Sequence, residues 1–481
     1  MKLDKYKQAI ADEYIKTRNN IFVSATAGSG KTTLLVHLMG LTPPNKKPLF
    51  TAFNKSIAEE LKNRVPSTVK VGTIHSLAMG VIRAKYNCNF EVKELKEFIV
   101  AKECLRLSHM PPKNRNAYIF EVCEVYNLCL LNLVEDTERF KEICDQYGYL
   151  YSERLEKDVF TLKKENTRRF KEMKPFQKVL ISFTDMLWVA NTFVEQKYWN
   201  KYDVLFMDEI QDFNPLHKEI AFKFLKKGGR FVAVGDDKQT IYSFQGSNLN
   251  SFNAIKSIPN TVSLPLSVTY RCAENIVNEA LTVFEDGIEA AAGAAKGIVY
   301  YGDYMDAKPG DFILCRNNFP LFTAFTYLLQ ANKKAHIIGK DFEEGLCKLV
   351  EQINYISDLD EIRDEKLEKL RERGVTRPEF HPAYVQYMEL YNIIKFLYGI
   401  FGSLDKVLRT IRNAFNSNNG GIKLSTIHKA KGLEADRVFF LDPELIPSPY
   451  ALTELEQYNE RCLEFVAITR AKKELVYCHS F

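Results

Sequence analysis

A few residues of this chain have the types and spacing needed to work on a phosphate ester. Lys31 and Thr32 close a glycine-bearing loop, Ala25–Thr32, in which Ala27, Gly28, Ser29 and Gly30 run directly ahead of them. Backbone N–H groups in such a loop point inward at a phosphate, and the N-terminus of the following helix adds positive potential. Lys31 would reach the β- and γ-phosphates of a nucleotide, and the Thr32 hydroxyl would ligate Mg²⁺. The full phosphate-loop pattern asks for a glycine where this chain has Ala25. The flanking strand and helix are both present. Much later, Asp208 and Glu209 stand side by side after an apolar run. Asp208 suits the Mg²⁺ shell, and Glu209 suits orienting or deprotonating an attacking water. Gln239 lies in a loop that reaches the γ-phosphate site, with Tyr242 and Phe244 facing outward from it. Arg271 and Arg470 are cations of the kind that stabilise charge on a transferring phosphoryl group from across a cleft.

The elements that must position these groups alternate between strand and helix. A helical spacing over Leu3–Tyr14 precedes the first strand, which starts at Ile21; a helix follows through Leu34–Met39. Strands are expected at Leu49–Phe53, Val69–Gly72, Tyr202–Met207 and Arg230–Gly235. Such alternation predicts a parallel sheet with its working loops at the strand C-termini. A second block of the same kind is expected from Leu264, with strands at Asp311–Arg316, Ala335–Ile338, Lys423–Thr426, Arg437–Leu441 and Glu474–Tyr477, and helices from Cys272 and over Thr453–Arg470. The domain plan is therefore 1–80 and 186–260 for the first block, with a helical insertion at 81–185. The second block takes 261–340 and 421–481, with a shorter insertion at 341–420.

Several positions read two ways from the residues alone. Gln8 is either a solvated amide or an amide that reads adenine, since it can both donate and accept. Phe53, Asn54, Thr73 and His75 fall at strand ends, where they are either helix caps and core or groups for base stacking and phosphate contact. The run from Lys163 to Lys178, with Phe170 and Phe176 interleaved, is either a solvated helix face or a phosphate track.

Composition narrows the class. A length of 481 residues predicts several domains, and 46% hydrophobic with 26% charged residues suits a globular protein. No apolar run approaches a bilayer span, and the N-terminus does not read as a signal peptide. A cytoplasmic protein with no membrane partner is expected. The ten cysteines include no C-x-x-C pair and are expected to be buried thiols rather than metal ligands. A net charge of +5 is too small to argue a polyanion partner globally.

Taken in order, Gln8, Ala27–Thr32, Thr51–Ala58, Gly72–Ser76, Asp208–Asp212, Val234–Gly246, Thr269–Arg271, Leu424–Glu434 and Glu464–Ala471 resemble the motif set of superfamily 1 DNA helicases of the UvrD/Rep/PcrA type. The likeness covers nearly the whole chain. The stretches Phe53–Ala58 and Gly72–Ser76 look especially like the F-box DNA helicases and short phage-encoded relatives. The resemblance implies an α/β fold of two RecA-like, parallel-sheet P-loop motor domains, each with a mainly helical insertion. It implies ATP and Mg²⁺ as ligands, and single-stranded DNA and single/double-strand junctions as partners. It further implies 3′→5′ helicase and translocase activity, with ATP hydrolysed between the domains. By the same likeness Gln8 reads adenine, Tyr270 stacks on it and Glu434 lies near the ribose. Arg271 and Arg470 are the γ-phosphate arginines, and Phe53, His75, Phe244 and His428 face DNA. Many members carry an arginine right after the Lys-Thr pair, against the base; here Thr33 stands there. The short 341–420 insertion suggests a monomer with little self-inhibition. Replication or recombination proteins are among the partners the resemblance suggests. A translocase that strips proteins from single strands is the alternative. A non-motor ATP switch is disfavoured, because it has no need of Glu209 and Arg470.

Overall fold

In the first β-strand, Ile21, Val23 and Ala25 pack into one apolar cluster while Phe22 packs into another. A strand with apolar residues on both faces requires cover on both sides. The computed structural model, which describes residues 3–52, 55–108, 110–241, 249–372, 377–416 and 420–480, supplies it. The chain divides into two compact units, Met1–Ala25 with Gly30–Leu266, and Thr26–Ser29 with Ser267–Phe481.

The strands of the first unit are β1 (Asn20–Ala25), β2 (Pro48–Ala52), β3 (Lys70–Thr73), β4 (Asn89–Val92), β5 (Lys178–Ile181), β6 (Tyr202–Met207), β7 (Leu225–Gly235) and β8 (Thr261–Leu266). Six of them form one sheet in the order β3-β2-β6-β7-β1-β8, and every pairing is parallel. Helices Lys5–Lys16, Lys31–Gly40 and Lys55–Lys62 cover one face through Ile10, Tyr14, Leu34, Leu38 and Leu61. On the other face Phe22, Leu49, Leu205 and Phe231 join a core that runs without a break into Val122, Tyr126, Phe140 and Leu162 of the helical insertion. The insertion therefore shares the core of its host. It also contains a parallel pair, β4 with β5, that local patterning does not announce.

The second unit holds the short pair β9 (Val268–Thr269) and β10 (Glu289–Ala290), then β11 (Ile298–Tyr301), β12 (Phe312–Cys315), β13 (Ala335–Ile337), β14 (Ile422–Thr426), β15 (Ala435–Leu441) and β16 (Ala471–Cys478). The last six form a parallel sheet in the order β11-β16-β15-β12-β14-β13. Ile313, Leu424 and Phe439 of this sheet share a core with Leu346, Leu397 and Ile411 of the second insertion. The two parallel α/β sheets bear out the expected fold class.

Several boundaries differ from expectation. Thr261–Leu266 belongs to the first sheet, where it pairs residue by residue with Asn20–Ala25, so the first unit extends to Leu266 rather than ending at 260. The strand expected at Arg230–Gly235 starts at Leu225. The helix expected from Cys272 starts at Glu274. No helix among the described residues is long and apolar enough to cross a membrane. None of the cysteines is in a disulfide; Cys88, Cys104 and Cys347 are half-buried and the other seven are buried.

One charged cluster inside the first insertion has a measurable consequence. Lys96 is buried and pairs with Asp185 at 2.8 Å and with Asn166 Oδ1 at 2.5 Å. Buried Glu97 adds a second carboxylate; burial first, and then the charge of Asp185, pushes it up to about 7. Its folded pKa thus lies above the ordinary 4.5. Between these values the folded chain keeps a proton that the unfolded chain has lost, so stability falls as pH rises through the window. Glu97→Gln removes that loss. It is expected to raise stability by about 1–3 kcal/mol at pH 8 and by little at pH 4, read from urea midpoints. Equal gains at both pH values would disprove the titration.

Candidate functional site

The first catalytic candidates gather where β1, β6 and β7 end. Helix Lys31–Gly40 begins on Gly30, whose φ is +81°, and Gly28 also has a positive φ of +69°. A glycine cap has no side chain to compete for the first helical N–H groups, which stay directed at an incoming anion. Residues Thr26–Ser29 group with the second unit. Within it the Tyr270 N–H donates to the Gly28 carbonyl at 2.9 Å, and the buried Ser29 hydroxyl donates to the Thr26 carbonyl at 2.8 Å.

Asp208 follows the last residue of β6 and is buried. Its carboxylate accepts from the Thr32 hydroxyl at 3.3 Å and from the Glu209 N–H at 3.0 Å. Burial first, and then the neighbouring charge of Glu209, pushes its pKa up to about 7, against the pull of Lys31. A buried carboxylate short of positive charge, beside a hydroxyl, is a hard-oxygen pair suited to a small divalent cation. Glu209 adopts a left-handed backbone, φ +52°, uncommon for a residue with a side chain and characteristic of functional turns. Its carboxylate lies 3.7 Å from the Lys31 ammonium and accepts from the Gln211 amide at 2.5 Å.

Gln211 then carries the network to β7, because its amide oxygen accepts from the Asp236 N–H at 3.0 Å. The approach depends on Gly235, where a Cβ would come 2.6 Å from Ile210 and 2.8 Å from the Gln211 oxygen. Burial pushes Asp236 up to about 6, and its carboxylate accepts from the Gln239 amide at 2.5 Å. Lys31, Thr32, Asp208, Glu209 and Gln239 are thus brought together, joined through Gln211 and Asp236. Those last two were missed. Their signal was there, as polar residues beside candidate groups just past the apolar C-terminal halves of β6 and β7.

Gln8 is not part of this assembly. Its side chain is exposed and donates to Asp12 at 2.7 Å along its own helix. The neighbouring Lys7 is buried instead, and a Cβ placed on Gly30 would lie 3.6 Å from its ammonium nitrogen and 3.9 Å from the Cβ of Thr33. On this helix Lys7 takes the inward face and Gln8 the outward one.

The second unit gathers Arg271, Glu434 and Arg470. Arg271 Nε donates to Glu434 at 2.5 Å and its Nη1 to the Thr469 carbonyl at 3.3 Å, while Lys472 pairs with Glu434 at 2.8 Å. Burial opposes ionisation of Glu434, but Lys472 and Arg271 outweigh it and hold its pKa below the usual range. Arg470 is fully buried: its guanidinium donates to the carbonyls of Val466 and Leu433 at 3.0 and 3.3 Å. The Val466 contact serves a carbonyl of the last turn of helix Glu454–Ile468, a need of every helix C-terminus, and the Leu433 contact ties in the loop before β15. Tyr270 is 54% exposed, as a stacking aromatic must be.

Of the nucleic-acid candidates, Phe53, Asn54, Tyr242 and Phe244 lie outside the described residues. The Thr73 hydroxyl caps helix Ile74–Lys85 by accepting from the Ser76 N–H at 3.2 Å. The His75 ring stands edge-on to Phe183 at 5.9 Å and to His217 at 5.4 Å. Burial pushes His75 down to about 4 and His217 to about 3, with His75 adding to the latter, so both rings are neutral at pH 7. Phe183 is 52% exposed and was also missed, since nothing local separates it from a core phenylalanine. His428 is half-buried in the turn after β14; burial, then Arg316, pushes it down to about 3. The basic run is mostly a paired helix face. Lys163 meets Glu135, Arg168 meets Glu165 and Glu172, Arg169 meets Glu103 and Glu165, and Phe170 is core.

Residues 5–259 match the family described as the UvrD/REP helicase N-terminal domain, and residues 421–478 match the UvrD-like helicase C-terminal domain. F-box DNA helicase protein 1 of Schizosaccharomyces pombe is 24% identical over 94% of this chain and 55% of its own length. F-box DNA helicase 1 of Gallus gallus is 25% identical over 100% of this chain and 49% of its own. DNA helicase II of Salmonella typhimurium is 25% identical over 64% of this chain and 42% of its own. The chain spans about half the length of the relatives it matches.

Proposed function

Because the chain belongs to the UvrD/REP family of DNA helicases, we propose that it couples ATP hydrolysis to 3′→5′ movement along single-stranded DNA and to duplex unwinding. The observation that carries this reading is the hydrogen-bonded chain from Thr32 through Asp208, Glu209, Gln211 and Asp236 to Gln239. In the proposed cycle Lys31 and the glycine loop hold the β- and γ-phosphates, and Glu209 takes the proton of the attacking water. Thr32 and Asp208 would hold Mg²⁺, which neutralises charge on the phosphate oxygens when bound. Gln239 reports the state of the γ-phosphate, and Arg271 and Arg470 are the cations proposed to stabilise charge on it. For Arg470 this requires giving up its carbonyl partners, a rearrangement that makes it a sensor of nucleotide.

Exposed Phe183, edge-on to the neutral ring of His75, suits stacking on an unpaired base. Phe183→Ala is expected to weaken single-strand binding by about 1–3 kcal/mol in a fluorescence-anisotropy titration. Unchanged affinity would leave it an ordinary surface residue. Strand displacement on duplexes with 3′ or 5′ single-stranded tails, with ATP turnover measured alongside, tests the whole reading. Unwinding from 3′ tails alone is the expected result. Turnover indifferent to added single strands would refute it.

A further inference from the structure

The short parallel pair of the first insertion leaves one strand edge open. β5 pairs with β4 alone, so its far edge has no partner strand among the described residues. The carbonyls of Gln177 and Ile181 accept from the N–H groups of Asn89 and Lys93. Backbone groups of successive strand residues point to opposite edges, so Lys178 and Leu180 direct theirs away from β4. Among the described residues no hydrogen bond reaches these outward N–H and C=O groups.

A cavity of about 370 Å³ runs along that edge. Gln177, Lys178, Val179 and Leu180 line it in succession, and among the described residues none of β4 does. Side chains alternate between the two faces of a strand, so a cavity that meets four residues in a row lies beside the backbone. Helices Lys96–Cys104 and Glu153–Lys171 supply the opposite wall, with Ile99, Val100 and Phe170 making it apolar. The charge of the lining is one-sided: Lys96, Arg168, Arg169 and Lys178 stand against the single carboxylate of Glu172. Lys96 is already neutralised by Asp185 in the interior. Arg168 and Lys178 pair with Glu172 and Glu91 at the surface, where both members of each pair are exposed. Such pairs contribute little and exchange partners readily.

We propose that this groove docks an acidic, extended segment of a partner protein, which adds to β5 as a third strand. Main-chain bonds to Lys178 and Leu180 give the affinity, and alternate side chains give the specificity. Apolar residues of the segment share the face of Val179 with the helical wall, and carboxylates on the other face meet Lys178 and Arg168. A lysine on an open edge discourages indiscriminate strand pairing, and so selects a segment of opposite charge. A nucleic-acid strand has no regular run of N–H and C=O groups for this edge and no use for the apolar wall. The groove shares no residue with the network from Thr32 to Gln239, so the inference stands apart from the nucleotide reading.

The test is a fluorescence-anisotropy titration of the intact chain with a labelled synthetic peptide of about eight residues, a usual strand length, alternating aspartate and valine. Saturable binding is expected, and a version with lysine in place of aspartate should not bind. Methylating one alternate set of the peptide's backbone nitrogens should abolish binding, while methylating the other set should spare it, because a strand offers only every second N–H to one neighbour. Arg168→Ala and Lys178→Ala together should lower the affinity about tenfold, the combined worth of two exposed charge pairs. Both side chains are exposed, so the fold should survive, which circular dichroism checks. No saturation below about 1 mM peptide overturns the proposal. So do equal effects of the two methylated sets, undiminished binding of the lysine version, or an affinity that the double variant leaves in place. A single-stranded oligonucleotide that displaces the peptide, its own affinity cut by the same variant, would give the groove to nucleic acid and overturn the proposal. Self-association of the chain in light scattering, lost in that variant, would give the edge to a second copy and overturn it equally.

Discussion

Glu209→Gln is expected to lower DNA-stimulated ATP turnover about 10²–10⁴-fold, the usual worth of a positioned general base, while nucleotide binding survives. The substitution keeps the shape and an oxygen able to accept from Gln211 at the 2.5 Å contact seen now. It removes the basic oxygen and the charge opposite Lys31 at 3.7 Å. It also relieves Asp208, whose high pKa owes its second-largest part to Glu209. Binding of a fluorescent nucleotide should therefore hold or tighten while phosphate release collapses. That split matters, because a purely structural role for Glu209 would weaken both together. Turnover within tenfold of wild type would move the base elsewhere.

Lys31→Ala is expected to reduce turnover by at least about 10²–10³, the range for removing one preorganised charge from a phosphoryl-transfer site. Here binding of the triphosphate should fall as well, since the lost group meets the phosphates in the ground state too. Lys31 is the cation whose pull opposes the raised pKa of both Asp208 and Asp236. Lys31→Arg is not expected to rescue turnover: a planar fork does not replace a compact point charge in a tight loop. Single-strand DNA affinity, measured by anisotropy without nucleotide, should stay at the wild-type value for both variants. A Lys31→Ala protein that still turns over ATP with DNA would remove the loop from the reaction.

The chemistry was largely legible before the fold was. Lys31, Thr32, Asp208, Glu209 and Gln239 announce themselves because each is a polar group in a loop or helix start that follows an apolar strand segment. Strand periodicity is a local property that sequence carries well. The alternation of strands and helices likewise determined two parallel α/β blocks and their insertions. What it could not determine were the things set by distant pairing. Thr261–Leu266 reads like the start of a new block, yet it lies beside Asn20–Ala25 because that edge of the first sheet was open to it. Asn89–Val92 and Lys178–Ile181 pair across the whole insertion, a partnership invisible to any local window.

Helix phase decided the rest. Consecutive residues point about 100° apart, so a shift of one exchanges an inward side chain for an outward one. Sequence offered Gln8 as a base-reading candidate near the start of the first helix, and the packing of Ile10 and Tyr14 under the sheet turned Lys7 inward and left Gln8 exposed, bonded to Asp12. Arg470 shows the same division. Its type and position were plain from the chain, whereas its partners, the carbonyls of Val466 and Leu433, exist only once helix Glu454–Ile468 has ended against the loop before β15. The sequence by itself determined which groups are available for phosphate chemistry, because that depends on residue type at strand ends. Only the tertiary structure decided which of them face the site, because that depends on what each helix and edge strand packs against.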